Sequence, residues 1–283
     1  MKWQWRLFWG VGLILLWLLC SGVAWAGPVS QDPLSQRLAQ YPHWQGKPPV
    51  QPARGDLIYP DWFAGNWQVT TTLVDLQAPL APEKVTPGFE SNRQFLNQPV
   101  AFRVRFVQAP VQSWLTAIVP QKGIVSDRAF NGTSLAKAYL GEQAVRAVKV
   151  DPRNPNRQIT LLKNNRQLVS TVTDRATAAP TADQFLSSEF FRQEFRGAPQ
   201  IYFNEVENTT AYTYHPDAEQ PTQPAITADQ VTAVYLSPQD PDYFKTLASD
   251  HPFAEPRPVA LYRYHLEFFK LATSDESNEA ATR

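Results

Sequence analysis

Three ionisable side chains alternate along one apolar segment near the end of the chain: Arg263, His265 and Glu267 in Val259-Ala260-Leu261-Tyr262-Arg263-Tyr264-His265-Leu266-Glu267-Phe268. In a strand, alternation puts all three on one face. Turned into a barrel, they would form a polar pocket with displaced pKa values, able to orient a ligand head group. If the face carrying Tyr262, Tyr264, Leu266 and Phe268 is the core instead, the charged row is solvated. Asp127 with Arg128 has the makings of an acid and a clamp, and Glu205 with Glu207 of a same-face carboxylate pair. Neither has a partner positioned by sequence, so both read as hydrogen-bonding or surface charge. Of the remaining histidines, His43 lies in a proline-rich stretch, while His215 and His251 each precede a proline, as turn residues do. Metal-ligand spacings, a Gly-x-Ser-x-Gly nucleophile elbow and a phosphate-binding glycine loop are all missing from the sequence. No catalytic residue, metal ligand or cofactor is therefore assigned.

The elements that must position these residues are strands. Phe63, Trp67, Val69 and Leu73 alternate with Asn66, Gln68, Thr70 and Thr72, and Phe102, Val104 and Phe106 alternate with Arg103 and Arg105. Both segments are half-buried strands. Residues 144–150, 158–162 and 167–173, separated by turn-rich runs, predict a meander of hairpins. Gln200–Tyr214, Gln230–Leu236 and Val259–Leu271 complete about eight strands. Leu186, Phe190, Phe191 and Phe195 form an apolar stripe at three-to-four spacing within Thr181–Arg196, before Gly197-Ala198-Pro199, and predict a helix there. Shorter helical turns are expected at Ser134–Leu140 and Asp242–Ala248. The fold class that follows is mainly β: an antiparallel, closed or nearly closed barrel with short inserted helices.

Lys2 and Arg6 precede an apolar run from Leu7 to Cys20, and Ala24-Trp25-Ala26 supplies a small-x-small site. Residues 1–26 therefore read as a secretory signal peptide cleaved after Ala26. The run is shorter than the roughly 20 apolar residues that span a bilayer. Residues 27–56 are a proline-rich arm in which Tyr41, His43 and Trp44 could dock on the body, 57–271 form the barrel domain, and 272–283 a disordered tail. The 26 Lys+Arg balance 26 Asp+Glu, and removal of Lys2 and Arg6 leaves the remainder mildly acidic. Neutrality gives no field for nucleic acid, and the aromatic residues are not interleaved with a basic stripe, so nucleic-acid binding is excluded. The lone Cys20 supports neither an internal disulfide nor a thiolate zinc site.

Gly65-Asn66-Trp67, at the start of the first long strand, resembles the first-strand Gly-x-Trp motif of the calycin group, the lipocalins and their relatives. The resemblance implies that Trp67 closes the barrel floor and that an arginine of the last strand, here Arg263, lies across the indole. Tyr59-Pro60-Asp61-Trp62-Phe63, Ala78-Pro79-Leu80-Ala81-Pro82, Thr86-Pro87-Gly88-Phe89-Glu90 and Asp127-Arg128-Ala129-Phe130-Asn131 are similar to segments of an uncharacterised family of exported cyanobacterial and plant-plastid proteins. That likeness implies a periplasmic or thylakoid-lumen location and carries no activity with it. The combined expectation is an exported calycin-like protein that binds a small apolar ligand of the lipid or pigment class, with Trp67, Arg263, His265 and Glu267 as its contacts. Two other classes stand beside it: a non-enzymatic assembly factor of a photosynthetic membrane complex, and an isomerase or cyclase working inside the barrel.

Overall fold

The computed structural model describes residues 32–86, 88–111, 121–199, 201–218, 220, 222–249 and 254–272. The expected signal segment and all but the first residue of the expected tail lie outside these.

Twelve strands make one antiparallel sheet: β1 Gln51–Pro52, β2 Ile58–Tyr59, β3 Gly65–Gln77, β4 Pro99–Val111, β5 Gln121–Ser126, β6 Val145–Asp151, β7 Asn154–Leu162, β8 Gln167–Ala178, β9 Gln184–Arg196, β10 Tyr202–Tyr214, β11 Ile226–Leu236 and β12 Ala260–Lys270. The order is β2-β5-β4-β3-β12-β11-β10-β9-β8-β7-β6, with β1 paired to β8. From β6 to β12 the order is a meander of sequence neighbours, expected from the sequence for β6 to β8. The last strand then returns to pair with β3, so the sheet curls into a half-barrel whose one gap lies between the β4–β5 ribbon and β6. Mainly β, antiparallel and with short helices, the architecture agrees with the fold class read from the alternation of apolar residues.

Alternation sorts the two faces. Trp67, Val69, Val104, Phe106, Phe185, Ile226 and Phe268 pack together on the concave face, with Leu73, Val206, Val234 and Tyr262 in an adjoining cluster. Glycine is required where β3 begins: Gly65 has φ 114°, a backbone region that side chains disfavour.

The convex face is covered by the N-terminal arm. Asp32 caps α1 (Pro33–Ala39), its carboxylate accepting from the Leu34 amide at 2.8 Å, with Pro33 in the first turn. Trp44, Leu38, Tyr41 and Val50 pack against Phe190, Val231, Ala233, Tyr235 and Leu261. Trp44 and Tyr41 thus dock as the arm's aromatics suggested, whereas His43 is exposed.

One expected element is overturned. Thr181–Arg196 is not a helix; from Gln184 onward it is β9, paired with both β8 and β10. Phe185 packs into the concave core while Leu186, Ser188 and Phe190 are buried on the convex side. A strand covered on both faces has no wet positions, so period two disappears and a helix-like stripe arises by accident. Thr181 Oγ1 donates to Asp183 Oδ1 at 2.5 Å in the turn before β9, and Gly197 (φ 90°) turns the chain into β10 rather than ending a helix.

The helical turn expected at Ser134–Leu140 is the end of a longer helix, α3 (Arg128–Leu140), which packs on β4, β6 and β7 and so spans the gap in the half-barrel. Pairing with β5 begins only at Phe106, leaving the first half of β4 with a free edge. Asn131 covers that edge by imitating a peptide unit: the Arg105 amide donates to its Oδ1 at 2.7 Å, and its Nδ2 donates to the Arg105 carbonyl at 3.1 Å. Ser134 Oγ accepts from the Arg103 amide at 3.0 Å. Asp127 caps α3 through the Phe130 amide at 3.0 Å and also binds the Arg105 guanidinium at 2.6 Å. The helix comes close to β6 and β7 at Gly132, where an added Cβ would lie 2.8 Å from Gln158 and 3.1 Å from Val148.

Candidate functional site

Within the half-barrel, α3, the turn after α2 (Phe89–Asn92) and the inner faces of six strands line an open cavity of about 420 Å³. Leu73, Phe95, Phe102, Val234 and Leu266 supply apolar wall, and Leu135 and Tyr139 reach in from α3. The polar part consists of amides, threonines and phenols; among the described lining residues none is charged. Burial pushes the phenols of Tyr139, Tyr262 and Tyr264 above their ordinary range, and for Tyr264 the other two tyrosines add to the effect. All three stay protonated at neutral pH.

Side-chain hydrogen bonds tie Asn92, Asn208 and Gln230 to neighbouring hydroxyls. Asn208 faces Thr232, whose hydroxyl donates to Asn208 Oδ1 at 2.8 Å, and Gln230 Nε2 donates to Thr232 Oγ1 at 3.1 Å. Asn92 Nδ2 donates to the Tyr262 hydroxyl at 3.2 Å. Asn204 is the exception. Its β11 neighbour is Leu236, which offers no side-chain donor, and its β9 neighbour Gln193 does not donate to it. Asn204 is only 7% exposed, and its Oδ1 is buried without a protein partner. Such an orphan acceptor costs about 1–3 kcal/mol.

The residues expected to bind ligand lie elsewhere. Trp67 is fully buried in the concave core beneath the cavity, its Nε1 donating to the Phe63 carbonyl at 2.7 Å. The cation over its indole is not Arg263 but Lys270, 5.4 Å from the ring centroid. Antiparallel register explains the correction: Lys270 pairs with Trp67, whereas Arg263 pairs with Asp75 at the far end of β3 and lies 5.8 Å from the Tyr41 ring. Arg263, His265 and Glu267 do share a face, but it is the convex one. His265 Nδ1 lies 3.4 Å from Asp229 there, both groups half-exposed. The aromatic alternates Tyr262 and Tyr264, with Leu266, are the ones that line the cavity.

Two charge sites, one fully and one largely buried, give Glu207 and Arg128 partners other than those their sequence neighbours suggested. On the convex side Glu207, fully buried, accepts from Arg37 Nε at 2.9 Å and Nη2 at 2.7 Å, Trp44 Nε1 at 3.0 Å, Tyr235 OH at 2.9 Å and Thr209 Oγ1 at 2.9 Å. Its candidate partner Glu205 instead meets Lys47 in a half-exposed pair at 3.5 Å. On the concave side Glu189 joins Arg175 at 2.7 Å and Arg128 at 3.3 Å, and Arg128 also approaches Asp56 at 3.5 Å. Two cations and two carboxylates balance there, so this network joins α3 to β8 and β9 rather than presenting free charge. Asp127 and Arg128, considered as acid and clamp, are respectively a helix cap and a member of that network.

The model of a family described as Domain of unknown function (DUF6816) matches residues 51–272. The chain belongs to the DUF6816 family. No curated protein and no solved structure matches it. The matched DUF6816 segment contains every strand and the whole cavity, whereas α1 and Trp44 precede it. Among the described residues of this DUF6816 protein no group of three metal-ligating side chains occurs, and no helix is long and apolar enough to cross a membrane. A second hollow, about 510 Å³, lies between α3 and the convex edge of β4, with Arg103, Lys137 and Glu142 among its lining. The Lys137–Glu142 ion pair, 2.7 Å, makes it a polar surface groove, and the inner cavity is the better candidate for a ligand.

Proposed function

We propose that this DUF6816 protein is a binding protein whose half-barrel takes up a small, largely apolar molecule, and that it acts after export to a periplasm or thylakoid lumen. The observation that carries the reading is the concave cavity: at about 420 Å³ it exceeds the roughly 300 Å³ at which small-molecule sites begin. Its walls combine aromatic and aliphatic side chains with a few neutral polar groups, the composition expected of such sites. Among the described lining residues no nucleophile stands beside a base and no acid titrates near neutral pH, so the reading is of non-covalent binding. The export half of the proposal rests on the pattern of residues 1–26.

Fluorescence enhancement of N-phenyl-1-naphthylamine on titration with the protein tests the reading. Saturable binding on the order of micromolar is expected, equivalent to about 8 kcal/mol. Leu266→Trp, which pushes an indole into the cavity from β12, should weaken the enhancement while the melting transition is retained. Equal enhancement in that variant, or none in the wild type, would refute the cavity as a binding site.

A further inference from the structure

Among the described residues that line the cavity, the side-chain carbonyl of Asn204 is the one buried polar atom with no hydrogen-bond partner. Asn208, Gln230, Thr232 and Tyr262 each bond to another side chain along the wall. Asn204 sits two residues before Val206 on the same face of β10, with Leu236 on one side and Gln193 on the other, and its Oδ1 accepts nothing. Gln193 lines the same cavity, so a second amide stands beside the orphan acceptor. A hydroxyl both donates and accepts, and would satisfy the two amides together. A carboxylate or phosphate would meet no cation among the described lining residues and would leave a buried charge uncompensated.

We propose that the ligand of this cavity is an uncharged apolar alcohol or phenol whose hydroxyl donates to Asn204 Oδ1 beside Gln193, and that the acids of the same skeleton are rejected. This rests on the cavity's being a binding site and adds the chemical class of what it takes.

Three two-ring probes separate the possibilities by calorimetric titration at neutral pH: 2-naphthol, 2-methylnaphthalene and 2-naphthoate. The ratio of naphthol to methylnaphthalene affinity should fall about fivefold to tenfold in Asn204→Leu, the effect of losing one hydrogen bond to a buried acceptor. Asn204→Ala, with its folding verified by melting, should show the same fall, which guards against a leucine-specific defect. The wild type should bind 2-naphthoate at least tenfold more weakly than 2-naphthol. An unchanged ratio in both Asn204 variants, or naphthoate binding as tight as naphthol, overturns the proposal and leaves the cavity reading intact. If none of the three probes binds, and N-phenyl-1-naphthylamine does not either, both fall together.

Discussion

Removing the Arg37 guanidinium should be the most damaging single truncation in the N-terminal arm. Arg37 is 2% exposed and Glu207 0%, and the guanidinium supplies two of the five hydrogen bonds that the carboxylate accepts. It also lies 4.1 Å from the Trp44 ring centroid, so its loss loosens the second arm residue that bonds Glu207. After Arg37→Ala, Trp44, Tyr235 and Thr209 still face Glu207 as neutral donors, but its charge is buried without a counter-ion. Breaking one side of a buried pair costs about 3–5 kcal/mol. For a domain of this size each kcal/mol moves the melting temperature by about 2–4 °C, so a fall of about 6–20 °C is expected. The assay is urea unfolding followed by far-ultraviolet circular dichroism on four proteins: wild type, Arg37→Met, Glu207→Leu and the double variant. Each single variant should lose several kcal/mol, and the double variant should lie closer to wild type than their sum, because replacing both partners removes the desolvation penalty together with the attraction. A loss below about 1 kcal/mol in Arg37→Met, or strict additivity in the double variant, would refute the view that this pair fixes the arm to the sheet.

Further outcomes follow from other contacts. Asn131→Leu removes both bonds to the Arg105 backbone and one from its Nδ2 to Ser126, and should cost about 2–3 kcal/mol, measured by thermal melting, with Ser134→Ala costing less. Lys270→Ala should destabilise by about 0.5–1 kcal/mol through the Trp67 indole while Arg263→Ala leaves that ring undisturbed; equal effects on stability would contradict the register. Burial pushes the Tyr212 phenol from 10.0 up to about 12. Because the folded value is the higher one, its contribution is present in full below pH 10 and is lost as pH rises towards 12, amounting to about 2–3 kcal/mol. Tyr212→Phe should therefore flatten the fall in stability over that window by about one proton, and an unchanged slope would show that Tyr212 does not titrate with unfolding.

Alternation of side chains was enough to place β3, β4 and β12, because each has one covered and one wet face and the period is local. It was enough as well for the meander from β6 to β8, where turn residues mark the corners. The docked arm was partly legible: Tyr41 and Trp44 stood out as aromatics in a proline-rich stretch, while the helix that Asp32 caps was read as extended arm. The Asp127–Asn131 segment stood out in the sequence, but its work of capping α3 and covering the edge of β4 depends on which edge β5 leaves unpaired.

What the sequence could not decide was the covering of each face. β9 loses its period because the arm lies on one side and the core on the other, and no window within Thr181–Arg196 contains the arm. Arg37 and Glu207 are 170 residues apart, so their pairing exists only once α1 sits on β10. The same holds for the cavity. The charged row Arg263, His265 and Glu267 was legible as a face, yet curvature turns that face outward and gives Tyr262, Tyr264 and Leu266 to the interior. Residue types set which side chains share a face; the curl of the sheet, closed by α3, set which face is inside.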